Sequence, residues 1–134
     1  ARLPALALSQ ALAPSQFRQW MEQRRFPPDT VAEVRTLLER LIPLVWNELA
    51  MSSRAPPTTW NVNFPAAASA EIAVVKTRIG HTYYDRCFSR KGAQFHHDLS
   101  NARIDQSPDT DNFVVEAGNV SATEIDMRHL GQRI

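Results

Sequence analysis

The sequence predicts an α+β fold, with N-terminal helices packed on an antiparallel sheet and a short helix closing the chain. Three observations point to it. Apolar residues recur at about the helical period of 3.6 up to residue 51 and alternate with polar ones after residue 60. A helix-capping pattern then stands at Ser121-x-x-Glu124. At 134 residues, with 43% hydrophobic and 22% charged, the chain suits one domain with a packed core. Within residues 1–134 we expect a helical half over 1–51, a strand-rich half over 60–120 and the closing helix over 121–131.

Ala1 to Ala13 is apolar, with Arg2 its only charge, and resembles the end of a targeting segment in composition. Pro4, Ser9 and Gln10 break that run, so in a mature chain it is expected to join the fold. From Ser15 to Arg25, Phe17, Trp20 and Met21 lie at i, i+3 and i+4, with Pro14 suited to the first turn. Phe26-Pro27-Pro28 stops this helix, because a residue before proline is pushed out of the α region. Thr30-x-x-Glu33 reads as the capping box of a second helix. Its stripe runs through Val31, Val34, Leu38, Leu41, Val45 and Leu49, widened by Leu37, Ile42 and Trp46. Pro43 inside it predicts a kink near Arg40 or two shorter helices.

Ser52 to Thr59 reads as a connector. Trp60, Val62 and Phe64 then alternate with Asn61 and Asn63, the pattern of a half-buried strand. Glu71 to Ile79 and Thr82 to Phe88 read as strands joined at Gly80-His81 by a type II′ hairpin turn. A turn at Gly92 leads to a short strand over Ala93 to His97. Asp98 to Asn112 reads as an exposed loop, and Phe113 to Val120 as a strand interrupted by Gly118. Val120 and Ile125 are placed to staple the closing helix, and Gly131 to stop it. The expected core holds Phe17, Trp20, Val34, Leu38, Leu41, Val45, Trp60, Val62, Ile72, Val74, Phe113 and Val115.

Fifteen basic and fourteen acidic residues give a net charge of +1, so no global field draws the chain to nucleic acid, anionic lipid or an acidic partner. No apolar run approaches the roughly 20 residues of a membrane-spanning helix. The single cysteine, Cys87, cannot form an internal disulfide and favours a reducing compartment. No cofactor motif is present, and no cofactor or metal is expected.

The densest polar constellation runs from Arg78 to Asp98. Cys87, with His81, His96 or His97 and an orienting Asp85 or Asp98, supplies the residue types of a hydrolase or transferase site. A free cysteine is, however, commonly a small buried hydrophobe. His96 and His97 are adjacent, so on a strand they face opposite ways and cannot share one ion. Asp105, Asp109 and Asp111 lack the glycine and terminal glutamate of a calcium loop. Arg78, Arg86, Arg90 and Lys91 cluster around Tyr83, Tyr84, Phe88 and Phe95, mixing cations with aromatics as a platform for single-stranded nucleic acid does. Strand aromatics are more often core, and the near-neutral total opposes that reading. Arg18, Trp20, Arg24 and Phe26 place arginine beside aromatic rings on one helix, a composition enriched where proteins meet. Asn119-Val120-Ser121 matches a glycosylation acceptor, although Ser121 is better explained as a cap. The leading expectation is a non-catalytic interaction or assembly protein, with another protein or a second copy as partner and nucleic acid as the alternative.

Overall fold

The computed structural model describes residues 5–52, 59–83, 87–97 and 102–126. In chain order the elements are β1 (Ala5–Gln10), α1 (Pro14–Gln23), α2 (Pro28–Ser52), β2 (Thr59–Phe64), β3 (Val74–Thr77), β4 (Thr82–Tyr83), β5 (Phe88–Lys91), β6 (Gln94–His97), β7 (Arg103–Ile104), α3 (Asp111–Glu116) and β8 (Val120–Ile125). The fold is mixed α and β, and no helix among the described residues is long and apolar enough to cross a membrane.

The main sheet has the order β1-β2-β8-β3. It is mixed, not antiparallel, and a strand precedes the helices, which corrects the expected arrangement. β2 and β8 run antiparallel in the middle, while β1 lies parallel to β2 and β3 parallel to β8. Parallel neighbours need long crossovers. The helices α1 and α2 supply the first, and the chain from Arg78 to Asn119 supplies the second.

The strand period of two sorts the central side chains. Val62 and Phe64 of β2, with Val120 and Ala122 of β8, form one face against Leu41, Val45 and Leu49 of α2. These seven are buried, and Leu37, Leu38, Trp60, Ile72 and Val74 pack around them. On the opposite face Asn63 donates from Nδ2 to Ser121 Oγ at 3.2 Å, and the hydroxyls of Thr77 and Thr123 lie 2.7 Å apart. Ser121 and Thr123 are buried on this face, where α3 packs and Val114 is buried. Hydrogen bonding is what makes burial of those hydroxyls tolerable.

Several local expectations yield to this packing. Residues 121–125 belong to β8 and not to a closing helix: a central strand buried on both faces outweighs the capping signal, and the Ser121 hydroxyl bonds Asn63. Residues 127–131 of that expected helix lie outside the described residues. The strand expected over Phe113 to Val120 is mostly α3, because the Thr110 side chain accepts from the Phe113 N–H and Asp111 occupies the first turn. Gly118, at φ 82, reverses the chain into β8 instead of interrupting a strand. No hairpin joins β3 to β4: β3 pairs with β8, and β4 with β7. β7 itself interrupts the expected loop over Asp98 to Asn112.

The helices keep closer to expectation. Pro14 opens α1, and Gln16 Oε1 accepts from the Ala13 N–H at 3.0 Å. The second helix begins at Pro28, so Thr30 sits in its first turn and is not the cap, and α2 runs as one element past Pro43. Phe17 and Phe113, expected in the core, are exposed. Trp20, Val34 and Val115 are half-buried.

Leu41→Ala is expected to destabilise the protein by about 2–5 kcal/mol in urea unfolding, while Phe17→Ala costs about 1 kcal/mol or less. Equal losses would contradict the assignment of core and surface. Gly118→Ala places a Cβ 3.0 Å from the Ser69 N and 3.2 Å from the Ala67 O at a left-handed φ. It should cost about 1–3 kcal/mol by the same assay.

Candidate binding surfaces

Arg78 follows β3 and forms a parallel bridge with Thr110. Its Nε donates to Asp109 Oδ2 at 2.8 Å and its Nη1 to Asp105 Oδ2 at 2.9 Å. Its backbone N–H donates to the Asp109 carbonyl, and its own carbonyl accepts from the Asp111 N–H. Asp105 Oδ1 accepts from the Ser107 hydroxyl at 2.6 Å and from the Ser107 N–H at 3.0 Å. The Ser107 hydroxyl, then its N–H, then Arg78 hold the Asp105 carboxyl well below the usual carboxylate range. Arg78 thus clamps the turn before α3, with its charge engaged by two carboxylates. No spacing rule links Arg78 to aspartates so distant in sequence, and sequence reasoning missed the clamp.

The candidate catalytic residues are distributed as follows. His81 is exposed, with its ring 5.9 Å from Tyr83. Cys87 is half-buried immediately before β5. His96 and His97 lie on β6, opposite Ser89 and Phe88. Tyr84, Asp85, Arg86 and Asp98 lie outside the described residues. Among the described residues no three histidine, cysteine or acidic side chains gather as metal ligands.

Two cavities lie at the β1 end of the molecule. One, of about 350 Å³, is lined by Gln10, Leu12, Phe26, Thr30, Val31 and Val34. The other, of about 370 Å³, brings Asn63, Asp111, Asn112 and Glu116 near Ser9 and Gln10. Asp111 Oδ1 there accepts from the Gly80 N–H at 2.8 Å and the Asn112 N–H at 2.9 Å, which commits it to holding the chain. Neither cavity is lined by Cys87, His81, His96 or His97.

Two surfaces instead gather exposed aromatic and basic side chains. On the first, Trp20 lies between Phe17 and Phe26, with ring centroids 6.0 and 6.3 Å away. The Arg24 guanidinium stands over Trp20 at 5.4 Å. Arg24 reaches it from a left-handed backbone, φ 53, where its N–H donates to the Trp20 carbonyl. The rings and Arg24 therefore come together, while Arg18 stays exposed elsewhere on α1. No residue of α1 is buried, with Phe17 at 49% and Met21 at 44% exposure.

The second surface is the β5–β6 hairpin. Gly92, at φ 63, takes the first central position of the two-residue turn, where a type II′ geometry favours glycine. The register sets Phe88 opposite His97 and Arg90 opposite Phe95, so these four share one face. The rings of Phe88 and His97 are 5.1 Å apart, and Arg90 Nε donates to the Gly92 carbonyl at 2.8 Å.

Comparison with protein-family models and with curated proteins finds no match.

Because its folded-state carboxyl titrates lower than in the unfolded chain, Asp105 contributes stability above the ordinary value of 3.8 and loses it as pH falls further. Asp105→Asn should therefore lower the melting temperature at pH 7, and the gap to wild type should narrow below pH ~4. A gap independent of pH from 7 to 2.5 would contradict the clamp.

Proposed function

We propose that this chain is a non-catalytic protein-interaction module that docks a partner on α1 and the start of α2. The observation that carries the reading is the Phe17–Trp20–Phe26 stack on a helix with no buried residue of its own. An amphipathic helix ordinarily earns its place by burying a stripe. Here Phe17, Met21, Phe26 and Val31 remain exposed around the half-buried Trp20. Rigid aromatic anchors with arginine beside them dominate the energetics of protein interfaces. Arg18 and Arg25 make no ion pair among the described residues. The complementary partner is a segment of another protein that presents apolar side chains together with carboxylates.

The reading is tested with a photo-crosslinking amino acid at position 17 and peptide mapping of the adduct. An adduct to an acidic, apolar segment of another protein is expected, and Trp20→Ala should weaken that complex by about 30-fold or more. Arg24→Glu provides a second variant at an exposed position. Loss of neither adduct nor affinity in both variants would overturn the reading, as would an adduct only to a second copy of this chain.

A further inference from the structure

We propose that the β5–β6 hairpin is a binding site for single-stranded nucleic acid, in which bases stack on Phe88 and Phe95 while Arg90 and Lys91 meet phosphates. The site rests on β5 and β6 alone and is independent of the α1 surface.

The bland account of aromatic residues on strands is that they fill a core. Here Phe88 is 61% and Phe95 71% exposed, and every residue of the hairpin strands except Ser89 is exposed. A two-stranded ribbon with both faces in water gains little stability from such rings. The register nevertheless sets both on one face, each beside a nitrogen-rich side chain: His97 across from Phe88 and Arg90 across from Phe95. The neighbouring Lys91 points to the other face, beside the turn. Flat rings interleaved with cations on an open strand surface match a flexible polyanion that carries stackable bases. An apolar protein segment would leave the cations without partners, and a phosphate surface alone would leave the rings exposed.

The distribution of charge supports the same ligand. Six basic and two acidic residues lie between Val74 and Ile104, whereas residues 105–126 hold six acidic and no basic residues. The near-neutral total therefore conceals a basic segment that contains the hairpin. Among the segment's other cations, Arg78 already has its charge taken by Asp105 and Asp109. Arg90 and Lys91 make no ion pair among the described residues.

The test is fluorescence anisotropy of the full chain with a labelled 12-nucleotide mixed-sequence single strand, as RNA and as DNA, alongside the duplex and heparin. Phe88→Ala and Phe95→Ala are each expected to weaken single-strand binding by about 5- to 100-fold. Both are exposed, so melting temperatures should stay near wild type, and Phe95→Leu should fail like Phe95→Ala because it removes the π-face but keeps apolar bulk. Replacing Arg90 and Lys91 together by glutamine should make the dependence of log affinity on log salt shallower by about 1.4. The proposal is overturned if the single strands do not bind. It is equally overturned if the duplex or heparin binds as tightly as they do, or if the aromatic variants bind like wild type.

Discussion

The antiparallel pairing of β2 with β8 is the constraint on which the rest of the structure depends. Both strands are interior to the sheet, so both of their edges are paired, and their faces meet α2 on one side and α3 on the other. Their alternating side chains match those two environments. Val62, Phe64, Val120 and Ala122 give α2 an apolar floor, while Asn63, Ser121 and Thr123 meet one another and Thr77 through hydrogen bonds. A slip of one residue in β2 would turn Asn61 and Asn63 toward Leu41 and Val45, and Phe64 into a polar layer. Register is thus held from both faces at once. The buried hydroxyls contribute to that specificity even where their net contribution to stability is small.

Once the central pair is set, its flanks require two long returns, and the chain builds them from different materials. Between β1 and β2 the return is helical, anchored by the apolar stripe of α2. Between β3 and β8 only α3 is helical among the described residues, and polar groups do much of the holding. Arg78 ties β3 to the turn through two carboxylates, and Thr110 Oγ1 donates to the Ser107 carbonyl at 2.7 Å. Thr110 is completely buried, yet its hydroxyl also accepts from the Phe113 N–H, so both roles of the oxygen are filled. This knot places α3 over the sheet where Val114 can be buried. A polar knot of this kind is local and directional.

What was legible in the sequence follows the same division. Elements whose pattern is local were readable: α1 from Phe17, Trp20 and Met21, α2 from its long stripe, β2 from its asparagine alternation, and β6 after the Gly92 turn. Elements fixed by distant partners were not. β1 has the bland run ALALSQ and becomes a strand by lying beside β2. Phe113-Val114-Val115 is rich in strand formers, yet the Thr110 cap and the burial of Val114 make it helical. Ser121-x-x-Glu124 carries a good helix start, and burial between β2 and β3 overrides it. For the candidate sites, composition identified the rings and cations of α1 and of the hairpin. Exposure, which separates a binding face from a core face, depends on which elements pack on which, and no local pattern reports that.

The placement of those two surfaces has a physical logic. The core closes with α2 and the four-stranded sheet, and neither α1 nor the hairpin adds a residue to its buried cluster. The exposed rings there lie outside that cluster, and both proposed contacts rest on this exposure. The sign of the charge around them is equally uneven. The basic stretch through the hairpin is followed directly by the acidic stretch that forms the knot, α3 and β8. The whole-chain charge of +1 averages over these two stretches and the remaining residues, which carry an excess of basic side chains. The near-neutral total therefore averages a basic and an acidic stretch of sequence, and the charge that bears on an anionic ligand is the local one, at Arg90 and Lys91.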